Sequence, residues 1–127
     1  MILPEEAIEF HDILVRTFGG SMGLRNREGL ESALSRPFQT FNGQELYPNP
    51  EDKAAAILES IISNHPFIDG NKRIGFVLMR MTLLDLGFDI VTAENEIYEF
   101  VMSIAKGEIE FVEISKWIAA KLILNAL

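Results

Sequence analysis

His65-Pro66-Phe67-Ile68-Asp69-Gly70-Asn71-Lys72-Arg73 lies between two long apolar helical patterns. Pro66 and Asp69-Gly70 read as a turn, so the patterns on either side fold back as a helix–loop–helix corner. Upstream, Ala54, Ile57, Leu58, Ile61, Ile62 and His65 recur at helical spacing along one face. Asn49 suits the N-cap of that helix, with Pro50, Glu51 and Asp52 in its first turn. The spacing puts His65 on the core stripe where the helix ends. Downstream, a helix opens near Asn71 and runs to Leu86, with Gly87 as its C-cap. Ile74, Val77, Leu78, Met81 and Leu84 form one stripe; Phe76, Met79, Leu83 and Leu86 form another. A helix apolar on most of its circumference is expected to be central and buried.

The loop is also dense in reactive groups. Asn71, Lys72 and Arg73 open a helix, where free N–H groups and the dipole favour an anion. Lysine adds a point charge and arginine a planar fork for phosphate oxygens. Asp69 is suited to a divalent cation bridging those oxygens, and His65 to taking a proton from an attacking hydroxyl. Residue types alone leave two readings open: a nucleotide-phosphate site with a general base, or a structural corner with solvated cations. Arg80, seven residues after Arg73, reads as an ion-pair residue or as a second cation on the pocket side.

The rest of the chain is mostly helical. Pro4-Glu5-Glu6 starts a first helix, with Ala7, Phe10, Leu14 and Phe18 on one face and Gly19-Gly20 at its end. His11, on or beside that stripe, reads as a packed or capping histidine, with a functional one as the alternative. Gly23 to Asn26 is a loop, and Arg27 to Ser35 a short helix stopped by Pro37. Asn42-Gly43, flanked by Thr40-Phe41 and Glu45-Leu46-Tyr47, is a hairpin signal. A small β-flap and an irregular loop held by Phe38, Phe41 and Tyr47 both fit. Phe88 to Val91 is extended; helices follow from Ala93 to Ala105 and from Val112 to Leu124, the second carrying Trp117 inward. These last two read as scaffold.

The 127 residues suit one domain, and 48% hydrophobic composition argues against disorder. The absence of cysteine rules out disulfides and thiolate metal sites. A net charge of −8 argues against a broad nucleic-acid surface, while leaving room for a small cationic pocket. No basic stretch followed by an apolar run opens the chain, and no run reaches membrane-spanning length. A cytoplasmic protein with no membrane partner and no direct nucleic-acid partner is expected.

Taken whole, the loop resembles the signature of the Fic/Doc family: His-Pro-Phe, a variable residue, Asp or Glu, Gly, Asn, Gly or Lys, Arg. His65, Pro66, Phe67, Asp69, Gly70, Asn71, Lys72 and Arg73 meet every fixed position. Phe18-Gly19-Gly20, Gly29 to Arg36 and Ala105 to Glu110 are similar to segments of the Doc branch, so the resemblance covers nearly the whole chain, 1–127, as one Fic/Doc domain. It implies an all-α, compact bundle of about six helices with a short β-hairpin flap at Phe41, Asn42, Gly43 and Gln44 that docks the target. By the same resemblance His65 is the catalytic base and Asp69 the Mg²⁺ ligand. Gly70 and Asn71 belong to the anion nest, and Lys72 and Arg73 hold nucleotide phosphates. Lys72 stands where AMP-transferring members have glycine, and Phe76 where they often have a second arginine. Both departures favour a Doc-type kinase that transfers the γ-phosphoryl group of ATP to a protein hydroxyl. In that branch the target is a threonine of translation elongation factor Tu, and translation stops. AMP transfer and a silent binding protein are the alternatives. The family's inhibitory Ser/Thr-x-x-x-Glu-Gly/Asn has no match: Thr92 to Glu96 comes closest but Ile97 follows. Restraint is therefore expected from an antitoxin in trans, whose helix or tail folds into a groove.

Overall fold

A computed structural model describes residues 1–125. The helices are α1 (Pro4–Phe18), α2 (Arg27–Ser35), α3 (Pro50–Asn64), α4 (Asn71–Asp85), α5 (Glu94–Ala105) and α6 (Phe111–Lys121). Four short strands join them: β1 (Thr40–Phe41), β2 (Gln44–Glu45), β3 (Phe88–Ile90) and β4 (Leu122–Leu124). The all-α bundle with a hairpin is thus the observed architecture.

The central helix is α3 rather than α4. Nine of the 15 residues of α3 are buried, against six of 15 in α4. The run Ala54-Ala55-Ala56 explains the difference, because small side chains let neighbours approach α3 from several sides. It packs along α4 and α6 and takes α2 on another flank. Gly75 brings α4 in closest: a Cβ there would sit 3.2 Å from Ile61 Cγ2 and 3.4 Å from Leu58 Cδ1. Ile57, Leu58, Ile61 and Ile62 of α3 meet Ile74, Leu78, Met79 and Leu83 of α4 in one buried cluster. Each such side chain contributes about 1.5–3 kcal/mol on burial. Both apolar stripes of α4 are only partly covered: Leu84 of the first and Leu86 of the second remain exposed.

Two helix ends depart from the periodicity. α4 stops at Asp85, with Leu86 capping it and Gly87 turning at φ 91°. α6 stops at Lys121 instead of Leu124, because Leu122-Ile123-Leu124 pairs antiparallel with Phe88–Ile90. An apolar run at a helix end has little to gain from another exposed turn, and β3 offers it a backbone ladder. Trp117 stacks on Phe100 with ring centroids 3.8 Å apart, a packing role as expected.

The Asn42-Gly43 segment is a hairpin. Thr40 pairs with Glu45 and Phe41 with Gln44, with positive φ at both turn residues (53° and 77°), as a two-residue hairpin turn requires. Its base is fixed by two cations, Lys53 buried and Arg36 half-buried. Lys53 Nζ donates to the carbonyls of Tyr47 (2.6 Å) and Pro37 (3.3 Å) and to Glu45 Oε1 (2.7 Å). Arg36 donates to Tyr47 Oη, Glu59 Oε1 and Ser60 Oγ.

Candidate active site

α3 ends at Asn64, and His65 follows with φ 48° and ψ 56°. That left-handed turn removes His65 from the apolar stripe. Its ring is exposed, not part of the core as the spacing alone suggests. Nδ1 lies 3.2 Å from the carbonyl of Ser63. A carbonyl only accepts, so this contact favours the neutral tautomer with the proton on Nδ1, in which Nε2 is the acceptor nitrogen.

Pro66 and Phe67 then bury themselves, anchoring the loop. Asn71 ties it shut: Oδ1 accepts from the Phe67 amide (3.0 Å) and Nδ2 donates to the Phe67 carbonyl (2.9 Å). The Asn71 side chain is therefore committed to loop shape, and only its main-chain N–H faces the helix opening. Gly70 turns into α4 at φ 74°, a conformation glycine adopts without penalty. The amides of Asn71, Lys72 and Arg73 then start α4 with no acceptor among the described residues.

A pocket of about 360 Å³ faces those amides, lined by Phe18, Gly19, Gly20, Asp69, Lys72 and Arg73 among others. Lys72 and Arg73 are exposed and form no salt bridge among the described residues. Arg73 rests its guanidinium over the Phe18 ring at 5.1 Å, which aims it across the pocket. Asp69 Oδ2 accepts from the Ser21 amide (3.0 Å) and Oδ1 from the Gly70 amide (2.8 Å). Those two bonds, the Ser21 one first, hold its carboxyl below the usual carboxylate range, and the Arg73 charge adds to them. Each oxygen accepts one N–H and retains capacity for a cation. An ionised carboxylate beside two exposed cations fits Mg²⁺, which takes one or two carboxylates together with substrate phosphates. No group of three or more metal-ligating side chains exists among the described residues, so any ion here relies on the ligand's own oxygens.

Sequence reasoning missed how the loop is gripped. His11 is buried, stacks on Phe67 at 3.9 Å, and its Nε2 lies 2.7 Å from the Asp69 carbonyl. Packed it is, but on the functional loop rather than on a general core. Leu24 forms a β-bridge with Phe67, and the Ile68 amide donates to Gly23. Arg25 reaches the end of α3. The one signal available was a polar, glycine-rich stretch after an apolar helix, which marks a loop without saying what it touches. Arg80 makes a two-bond ion pair with Asp89 (2.8 and 3.0 Å), and so is not a pocket cation. The flap residues Phe41, Asn42, Gly43 and Gln44 stand apart from this cluster. They are exposed and share no hydrogen bond with residues 65–73.

A second cavity, of about 560 Å³, meets the first at Lys72 and Arg73. Leu14 and Phe18 of α1, Phe76 of α4, and Ile97, Tyr98 and Met102 of α5 line its apolar walls. α5 thus lines the cavity next to the phosphate-sized pocket as well as packing on the bundle. Glu96 of α5 is engaged elsewhere, with Thr92 (2.9 Å) and Lys121 (2.8 Å), so it makes no contact of an inhibitory kind with Arg73.

A family model described as Fic/DOC matches residues 2–83, which takes in the whole loop, the flap and most of α4. The chain belongs to the Fic/Doc family. It is 35% identical over 99 residues to Toxin Doc of Mycolicibacterium smegmatis, covering 71% of this chain and 76% of that protein. It is 40% identical over 86 residues to a Fido domain-containing protein of Dictyostelium discoideum, covering 64% of this chain and 60% of that protein. The Fic/Doc signature residues are thus the ones the fold gathers at the start of α4.

Proposed function

We propose that this protein is a Doc-type toxin that moves the γ-phosphoryl group of ATP to a serine or threonine hydroxyl of a protein, with a threonine of elongation factor Tu as the target. The observation that carries this reading is an exposed His65 on the same short loop that leads into the open amides of α4 and into Lys72 and Arg73, which form no salt bridge among the described residues. The target hydroxyl gives its proton to His65 Nε2 as its oxygen attacks the γ-phosphorus. The bond to the β,γ-bridging oxygen breaks, and ADP leaves with that electron pair. Lys72, Arg73 and the α4 amides hold the phosphates and meet charge developing on the leaving oxygens. Mg²⁺, when bound, would rest on Asp69 and neutralise phosphate charge. Lys72 supports phosphoryl over AMP transfer, because its side chain and charge take up space that glycine leaves to the outer phosphates.

Two further assignments go with this reading. The exposed hairpin edge would take an extended stretch of the target by strand addition. The apolar groove along α1, α4 and α5 would take an antitoxin segment. Because that groove meets the phosphate pocket at Lys72 and Arg73, its occupant would compete with ATP.

The test is transfer from ATP labelled at the α or the γ phosphate, with elongation factor Tu or a bacterial extract as acceptor. Label from γ alone, absent in His65→Ala, is expected. Label from α would mean AMP transfer and overturn the role given to Lys72. Label from neither would favour a binding protein.

A further inference from the structure

We infer that Arg25 is a positioning residue for His65: its guanidinium holds the end of α3 in the left-handed turn that keeps the ring exposed, at the start of the motif loop. The inference rests on the reading of His65 as the base. A histidine at φ 48° is in a region that side-chain-bearing residues seldom occupy, and such a conformation persists only where the surroundings over-determine it. Unconstrained, the apolar periodicity of α3 would carry His65 inward. Here the Arg25-Asn26 dipeptide supplies the hydrogen bonds to residues 64–66, beside the Leu24–Phe67 bridge and the Ile68–Gly23 bond further along the loop. Arg25 Nε donates to the His65 carbonyl (2.7 Å) and its Nη2 to the Asn64 carbonyl (2.8 Å). The amides of Arg25 and Asn26 both donate to the Pro66 carbonyl (2.7 and 2.9 Å). The main-chain bonds survive any side-chain change; the two from the guanidinium do not.

Arg25 has no carboxylate partner among the described residues, although the chain is acidic. Its fork is spent on two successive carbonyls at the negative end of a helix, geometry that a planar guanidinium matches and a lysine ammonium does not. A general C-cap would contribute stability only. This one grips the peptide on both sides of the residue whose side chain must be aimed, and a small misplacement of a reacting group lowers rate much more than binding.

The test compares Arg25→Met, which keeps length and loses the donors, with Arg25→Lys and a His65→Ala control. Two readouts are taken below the melting transition of each protein. The first is the strong intraresidue amide–Hα NOE that positive φ gives His65, which needs no activity. It should weaken in Arg25→Met and be retained in part in Arg25→Lys. The second is γ-label transfer: kcat should fall about tenfold or more in Arg25→Met with KM for ATP within about twofold, and Arg25→Lys should recover part of the loss. An unchanged NOE in Arg25→Met overturns the inference whatever the activity. So does wild-type kcat in Arg25→Met while His65→Ala is inactive, or a loss confined to KM. If Arg25→Met does not fold, Arg25→Lys decides, since wild-type values in both readouts overturn the inference. Equal activity of wild type and His65→Ala would instead sink the base assignment and leave the NOE as the judge of Arg25.

Discussion

Replacing Lys53 with methionine tests whether the flap is fastened by a buried ammonium group. Lys53 is among the most buried charged side chains, 7% exposed, while its partner Glu45 is 53% exposed. The half-solvated pair with Glu45 is worth at most about 1 kcal/mol. The carbonyl contacts weigh more. A hydrogen bond from a charged donor contributes about 1.5–3 kcal/mol, and the 2.6 Å bond to Tyr47 belongs in that range. The 3.3 Å contact to Pro37 adds less. Against these stands the desolvation cost of the ammonium, which methionine avoids while keeping the packing of the stem. A net loss of about 2–3 kcal/mol is expected for Lys53→Met, and under about 1 kcal/mol for Glu45→Gln, which leaves both carbonyls partnered. Urea unfolding at constant slope reads both. Lys53→Met within about 0.5 kcal/mol of wild type, or Glu45→Gln as costly as Lys53→Met, would refute the reasoning.

Gly20→Ala should be less stable than Gly19→Ala by about 1 kcal/mol, measured by urea unfolding. Both glycines have positive φ, but only at Gly20 would a Cβ strike Asp69 Oδ2, at 2.9 Å; equal costs would mean the carboxylate is not held there. Asp69 has a depressed folded pKa, so its contribution to stability is present above the unfolded value of about 3.9 and is lost as pH falls through the lower folded value. A carboxyl-carbon titration with its midpoint at or above about 3.9 would contradict the two amide bonds assigned to it. His65→Gly should be more stable than His65→Ala by about 1 kcal/mol, because alanine keeps the left-handed strain and glycine does not. Both should lack transfer activity, and a glycine variant no more stable than the alanine one would mean His65 is unstrained.

Most of the helical frame is legible in the sequence because periodicity and caps are local. The ends that were misplaced are those where a non-local partner wins. Leu122–Leu124 has helical spacing, yet β3 lies alongside it and takes it as a strand. α4 has the more apolar circumference, yet the alanine run makes α3 the centre, since centrality depends on how closely neighbours approach as well as on apolarity. In the site, residue types were legible at His65, Asp69, Lys72 and Arg73. Their orientations were not: the stripe that predicts His65 inward holds for every earlier position of α3 and fails only at the residue with positive φ.

That failure has a physical logic. A base useful to an outside substrate must leave the core, and on an amphipathic helix the economical way is to break the helix at that residue. Breaking it strands the last carbonyls, which must find donors. The loop's own residues are already committed, with Asn71 closing on Phe67 and Gly70 on Asp69. The donors therefore come from the segment after α1. Arg25 serves Asn64 and His65, the Arg25 and Asn26 amides serve Pro66, and Ser21 serves the Asp69 carboxylate. His11 Nε2 faces the Asp69 carbonyl from α1 itself. Each of these partners lies 39 to 58 residues earlier in the chain. The motif supplies the reactive groups, and a stretch with no reactive group of its own supplies their aim. On the proposed function, substitutions between Ser21 and Asn26, none of which lines the pocket, should therefore act on the chemistry without touching a substrate.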